Sequence, residues 1–91
     1  MSATLDDAVR CPAAHPEDRS SCQGPADAVL IVDAVGDEAI GCVHHGAALV
    51  ASVAGTRVYP LAVPGAAIDC YRRAVGLPSF PFYRRAVGVA R

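Results

Sequence analysis

The spacing of cysteine and histidine constrains this chain more than any other feature. Cys11-x3-His15-x6-Cys22 is followed, nineteen residues on, by Cys42-x-His44-His45. Structural zinc takes four ligands in a tetrahedron, mostly Cys thiolates and His nitrogens, often supplied as close pairs. The two-residue gap from Cys42 to His45 lets both side chains converge on one ion, a gap His44 does not provide. The pattern predicts a zinc site of Cys11, Cys22, Cys42 and His45, with His15 as the alternative ligand. Ordinary buried thiols and a redox pair are the competing explanations of the same cysteines. Cys70, beside Tyr71, reads as a packing residue.

A chain of 91 residues needs such a staple. Its 53% hydrophobic content overstates the core: 18 of those residues are Ala, Val, Leu and Ile together number 20, and there is no Trp. Small domains bury a modest share of their surface and are stabilised by disulfides, a metal or a partner. The start, MSATLDDAVR, is acidic and lacks the apolar run of a secretory signal. The most apolar stretch, residues 46–68, is broken by Arg57, Pro60 and Pro64, which argues against a membrane span. The expectation is therefore a cytoplasmic protein, in a reducing compartment where spaced Cys and His point to metal rather than disulfides. The absence of Lys and Asn, both with AT-rich codons, points to a high-GC bacterial genome.

Local pattern places the ligands on elements. Residues 1–10 read as a flexible lead, and residues 11–27, rich in Pro, Gly, Ser and charge, as a loop. Residues 28–33 (AVLIVD) form a strand, residues 36–38 a turn, and residues 39–43 a returning strand. A helix is expected immediately after His45, over Ala47 to Ala54, with Gly55 as its C-terminal cap. Arg57 to Tyr59 is a third short strand stopped by Pro60. Gly65 to Val75 is a second helix, with Ile68, Tyr71 and Val75 on one apolar stripe. The zinc-binding domain then spans residues 11–76, and residues 77–91 form a Pro-, aromatic- and Arg-containing C-terminal tail. The fold class is α+β.

A loop with ligands, a hairpin, and a helix start carrying two more ligands: this order resembles the treble-clef zinc fingers over Cys11 to Gly55. The resemblance implies one structural zinc. A treble clef opens on a tight C-x-x-C knuckle, whereas Cys11 and Cys22 are eleven positions apart. Either a long loop joins them or His15 replaces one. The stretch GCVHHGAALVAS also resembles small actinobacterial proteins with a C-x-x-H-G-A segment, a group that implies no activity. A helix start is a favourable place for the site, because its positive end stabilises a thiolate-rich centre.

Catalysis lacks a constellation. No P-loop, dinucleotide glycine pattern or HExxH context occurs, and a Cys42–His pair would use the proposed zinc ligands. Glu17 and Asp18 follow Pro16 and are expected to cap a turn, the alternative being support of a ligating His. Residues 1–45 carry a net charge of −6 and residues 46–91 a net charge of +5, which suits attraction between the halves. YRRAVG occurs twice, at residues 71–76 and 83–88. Its arginines, Arg72, Arg73, Arg84 and Arg85, offer a weak, non-specific nucleic-acid contact, with Tyr71 and Tyr83 available to stack on bases. Phe80, Phe82 and Tyr83 are expected to fold back over the thin core. The functional expectation is a non-catalytic zinc-binding interaction module with a protein partner. A nucleic-acid-binding regulator and a metal- or thiol-dependent enzyme are the alternatives.

Overall fold

The computed structural model of the chain describes residues 10–84. The principal elements among the described residues are, in order, β1 (Val29–Val32), β2 (Glu38–Gly41), α1 (Val43–Ser52), β3 (Arg57–Pro60) and α2 (Ala66–Val75), and residues 81–84 are again helical. The α+β expectation holds. The strands form one antiparallel sheet in the order β2-β1-β3. The β1–β2 hairpin turns at Asp33, whose Oδ1 accepts N–H bonds from Val35 and Asp37 at 2.9 and 3.0 Å. Gly36 takes φ +95° there, a left-handed conformation that disfavours a side chain. The turn therefore ends before Glu38, which belongs to β2.

The register sorts side chains by face. Val29 and Ile31 of β1 point inward with Val58 of β3, and all three are buried. Both helices cover that inner face. Gly46 on α1 makes this possible: a Cβ there would lie 2.9 Å from Cys70 Sγ on α2 and 3.1 Å from Val29 Cγ2 on β1. Cys70 is fully buried, its thiol donating to the Val43 carbonyl at 3.3 Å, and burial pushes its pKa up to about 11.

α2 departs from its expected orientation. Ile68, Tyr71 and Val75 are 58%, 42% and 88% exposed, while Ala66 and Cys70 form the buried side. Small residues win because α2 lies too close to α1 and β3 for bulk at the contact. Tyr71 still works at the edge, where its hydroxyl accepts the Val58 N–H at 2.9 Å. Among the described residues no helix is long and apolar enough to cross a membrane.

The core is thin in the way the composition implies. Its largest fully buried side chains are His45, Val29, Cys42 and Cys70. Two of those four are candidate zinc ligands, so a polar cluster occupies volume that hydrocarbon fills in larger domains.

Candidate metal centre

α1 begins at Val43, four residues earlier than its helix formers suggest, because Cys42 caps it. The Cys42 thiol accepts the His45 N–H at 3.4 Å, the role that Ser or Asp oxygen usually plays at this position. Cys42 therefore sits at the N-cap and His45 in the first turn, and both side chains reach the same point. Gly41 prepares the other half of the site. Ala13 N–H donates to the Ile40 carbonyl at 3.1 Å, laying the N-terminal loop along β2. A Cβ on Gly41 would fall 2.6 Å from Ala13 Cβ and 3.5 Å from Cys11 Sγ, so only glycine admits the loop this closely.

The result is a cluster of four donor atoms from Cys11, Cys22, Cys42 and His45, all within 4.8 Å of one another. His45 Nδ1 lies 3.2 Å from Cys42 Sγ, 3.4 Å from Cys11 Sγ and 3.6 Å from Cys22 Sγ. Bond lengths of about 2.3 Å to sulfur and about 2.05 Å to nitrogen give a tetrahedral N···S edge of about 3.6 Å. The three edges are thus close to the size a zinc ion requires. Cys11, Cys42 and His45 are buried and Cys22 is partly exposed. The Cys11 N–H donates to Cys22 Sγ at 3.2 Å, which ties the two distant cysteines together without a tight knuckle. All four cysteines are free of disulfides.

The opposite edge of the imidazole is equally constrained. His45 Nε2 faces the Ser20 carbonyl at 3.1 Å, Ser20 Oγ at 3.3 Å and Asp18 Oδ2 at 3.7 Å. A proton on Nε2 is therefore satisfied, and the Nδ1 lone pair is left to face the thiols. A carboxylate or carbonyl behind a metal-binding histidine is the usual way its ring is oriented. The Asp18 carboxylate is held in turn by Ser20, through its N–H at 2.9 Å and its hydroxyl, and by the Tyr83 hydroxyl at 2.7 Å. Arg10 bonds the carbonyls of Asp18 and Ser20, pinning the loop from outside.

Charge in the cluster follows these contacts. The hydrogen bond from Cys11, helped by His45, pulls the Cys42 thiol well below its ordinary range against the cost of burial. Cys11, as donor to Cys42 and itself buried, is pushed up. The Cys42 contact raises His45, burial opposing it. Burial raises Asp18, but the bonds from Ser20 and Tyr83 outweigh it and leave that carboxyl low.

Several predicted residues lie elsewhere. His15 is outside the cluster: its ring packs on Phe82 and Tyr83 at centroid distances of 5.1 and 5.6 Å, and its Nδ1 accepts the Glu17 N–H. His44 stacks edge-on against His45 at 5.4 Å and reaches none of the thiols. Asp18 combines both roles weighed for it, ordering a turn through Ser20 and standing behind His45. Arg72 and Arg73 are exposed on α2, Arg73 bonding Gln23 at 2.5 Å, and Arg84 bonds Ser79 at 2.5 Å. Arg85, the remainder of the second YRRAVG copy and most of the N-terminal lead lie outside the described residues. Tyr83 is 3% exposed, so it offers no ring to a nucleobase. Ser20 and Tyr83 were not legible as site residues; the only hint was their neighbours, Asp18 and the aromatic run.

The chain matches no known family model, no curated protein and no solved structure. The donor geometry therefore carries the functional argument.

Proposed function

We propose that this chain is a small non-catalytic interaction module built around one structural Zn2+ ion. Cys11, Cys22 and Cys42 supply thiolates and His45 supplies Nδ1. The observation that carries the reading is the four-donor cluster, with edges of 3.2–3.6 Å around His45 Nδ1. Four protein donors leave no position for the water or substrate that a catalytic zinc keeps open. The order of ligand loop, hairpin, and helix with ligands at its start supports a treble-clef-like scaffold, here with hydrogen bonds from backbone N–H groups to sulfur in place of a knuckle. Zinc chemistry also suits the thin core, because structural zinc contributes roughly 10–16 kcal/mol of apparent binding free energy in small fingers. That is as large as the whole stability of a typical domain, about 5–15 kcal/mol.

The test is elemental analysis of gently purified protein, followed by chelation monitored by far-ultraviolet circular dichroism. One zinc per chain and loss of cooperative folding on chelation are expected. A metal-free chain that still unfolds cooperatively at the same temperature would sink the proposal.

A further inference from the structure

Among the described residues no helix lies on the outer face of the sheet, and Pro12 of the N-terminal loop borders a shallow cavity there with Leu30, Glu38 and Ile40. Antiparallel register sets Ile40, Leu30 and Tyr59 side by side in one row across β2, β1 and β3. The next row along the strands is Glu38, Val32 and Arg57. Ile40 and Tyr59 are 40% and 44% exposed, and Leu30 and Val32 are half-buried. The face is thus an apolar strip with one acid at one edge strand and one base at the other. Neither Glu38 nor Arg57 makes a side-chain hydrogen bond or ion pair among the described residues.

We infer that this face binds a second copy of the chain, through a two-fold axis running along β1 between two facing sheets. Such an axis exchanges the edge strands. It lays Leu30 on Leu30 of the partner subunit, Val32 on Val32 of the partner subunit, and Ile40 on Tyr59 of the partner subunit. Glu38 then meets Arg57 of the partner subunit, and Arg57 meets Glu38 of the partner subunit. Every contact appears twice, as closed two-fold interfaces require. Facing sheets pack about 10 Å apart with strands nearly aligned, which this axis provides. A two-fold across the strands fails, because it sets each Glu38 on Ile40 of the partner subunit and buries charge against hydrocarbon.

The exposed stripe on α2 is the rival surface. Antiparallel pairing of Ile68, Tyr71 and Val75 centres near Arg72 and brings that residue against its own copy, like charge on like. Of these two surfaces, the sheet face is the one whose symmetry relates opposite charges.

The interface is small. Three strands at about 4.8 Å spacing and four residues at about 3.4 Å each give a footprint far below the roughly 800 Å² per partner of a stable complex. The dimer is therefore weak and exchanging. This inference deepens the interaction-module reading and rests on it for the folded, zinc-loaded scaffold.

The experiment is sedimentation equilibrium of the full chain from about 10 μM to 1 mM, with zinc content measured on each sample. The variants are Glu38→Arg, Arg57→Glu, their combination, and Ile68→Glu. Each single reversal places two like-charged contacts in the dimer and should weaken association about tenfold. The combined swap should restore it, and Ile68→Glu should leave it unchanged. A chain that carries one zinc and stays monomeric at 1 mM overturns the inference while the zinc reading stands. Association abolished by Ile68→Glu but indifferent to the charge reversals moves the interface to α2 and equally overturns it. Association with the charge-swap pattern in a chain lacking zinc supports the interface and removes the metal reading.

Discussion

Tyr83→Phe deletes one oxygen and tests whether the C-terminal segment supports the metal centre. In the folded chain that hydroxyl donates to Asp18 Oδ2 at 2.7 Å and accepts the His15 N–H at 3.3 Å. Asp18 is 8% exposed, so water cannot readily replace the lost donor. Its Oδ1 keeps both bonds from Ser20, but Oδ2 is left with only His45 Nε2 at 3.7 Å. A buried hydrogen bond to a charged group is worth about 1.5–3 kcal/mol. The His15 N–H is only half-buried and recovers a water partner, so it adds little. A loss of about 2 kcal/mol should lower Tm by roughly 8–16 °C in a domain of this size. Zinc affinity should fall about tenfold, the lower end for groups standing behind a metal ligand, since Tyr83 acts through Asp18. Thermal melts at fixed excess zinc give the stability term, and competition with a chromophoric chelator gives the affinity. The decisive measurement is the double-mutant cycle with Asp18→Asn. If Tyr83 works through this carboxylate, Tyr83→Phe costs little more in the Asp18→Asn background. An unchanged penalty there, or unaltered zinc affinity in the single variant, refutes the argument.

Other expectations follow from the same geometry. Cys70→Ala and His15→Ala should both retain one zinc per chain, whereas Cys22→Ala should not; mass spectrometry under native conditions distinguishes them. Gly46→Ala should destabilise by about 1–2 kcal/mol, as overpacking against Cys70 and Val29 outweighs the helix preference for Ala, and Cys70→Ala should relieve part of that cost in a denaturant-melt cycle. Acid should release zinc and unfold the chain together. Protons compete for the thiolates and imidazole, and Asp18, held low in the fold, contributes stability above the usual carboxylate range that disappears as pH falls through it. A zinc-loaded protein whose melting temperature rises on acidification from pH 7 to pH 4 would contradict this sign.

Local sequence determined the elements and much of the candidate ligand set. β-branched runs at residues 29–32, a Gly36 turn, short helix formers before Gly55 and a glycine ahead of residue 66 are short-range signals, and each produces its element within a few residues. Cys42 and His45 were readable as a pair because their spacing is a property of one helical turn. The long-range decisions were not readable. Whether Cys11 could join Cys22 depended on a loop docking against β2, which turns on the absent side chain of Gly41 and on one N–H bond to sulfur. The direction in which α2 faces was decided by how closely α1 and β3 approach, so small Ala66 and Cys70 are buried and the larger Ile68 and Val75 are left outside. The two copies of YRRAVG make the limit plain. Their sequences are identical, yet Tyr71 covers a sheet edge at the surface, whereas Tyr83 is buried against Asp18. Spacing fixes what neighbours along the chain can do together; what a side chain meets across the fold is set by distances that only the packed backbone defines.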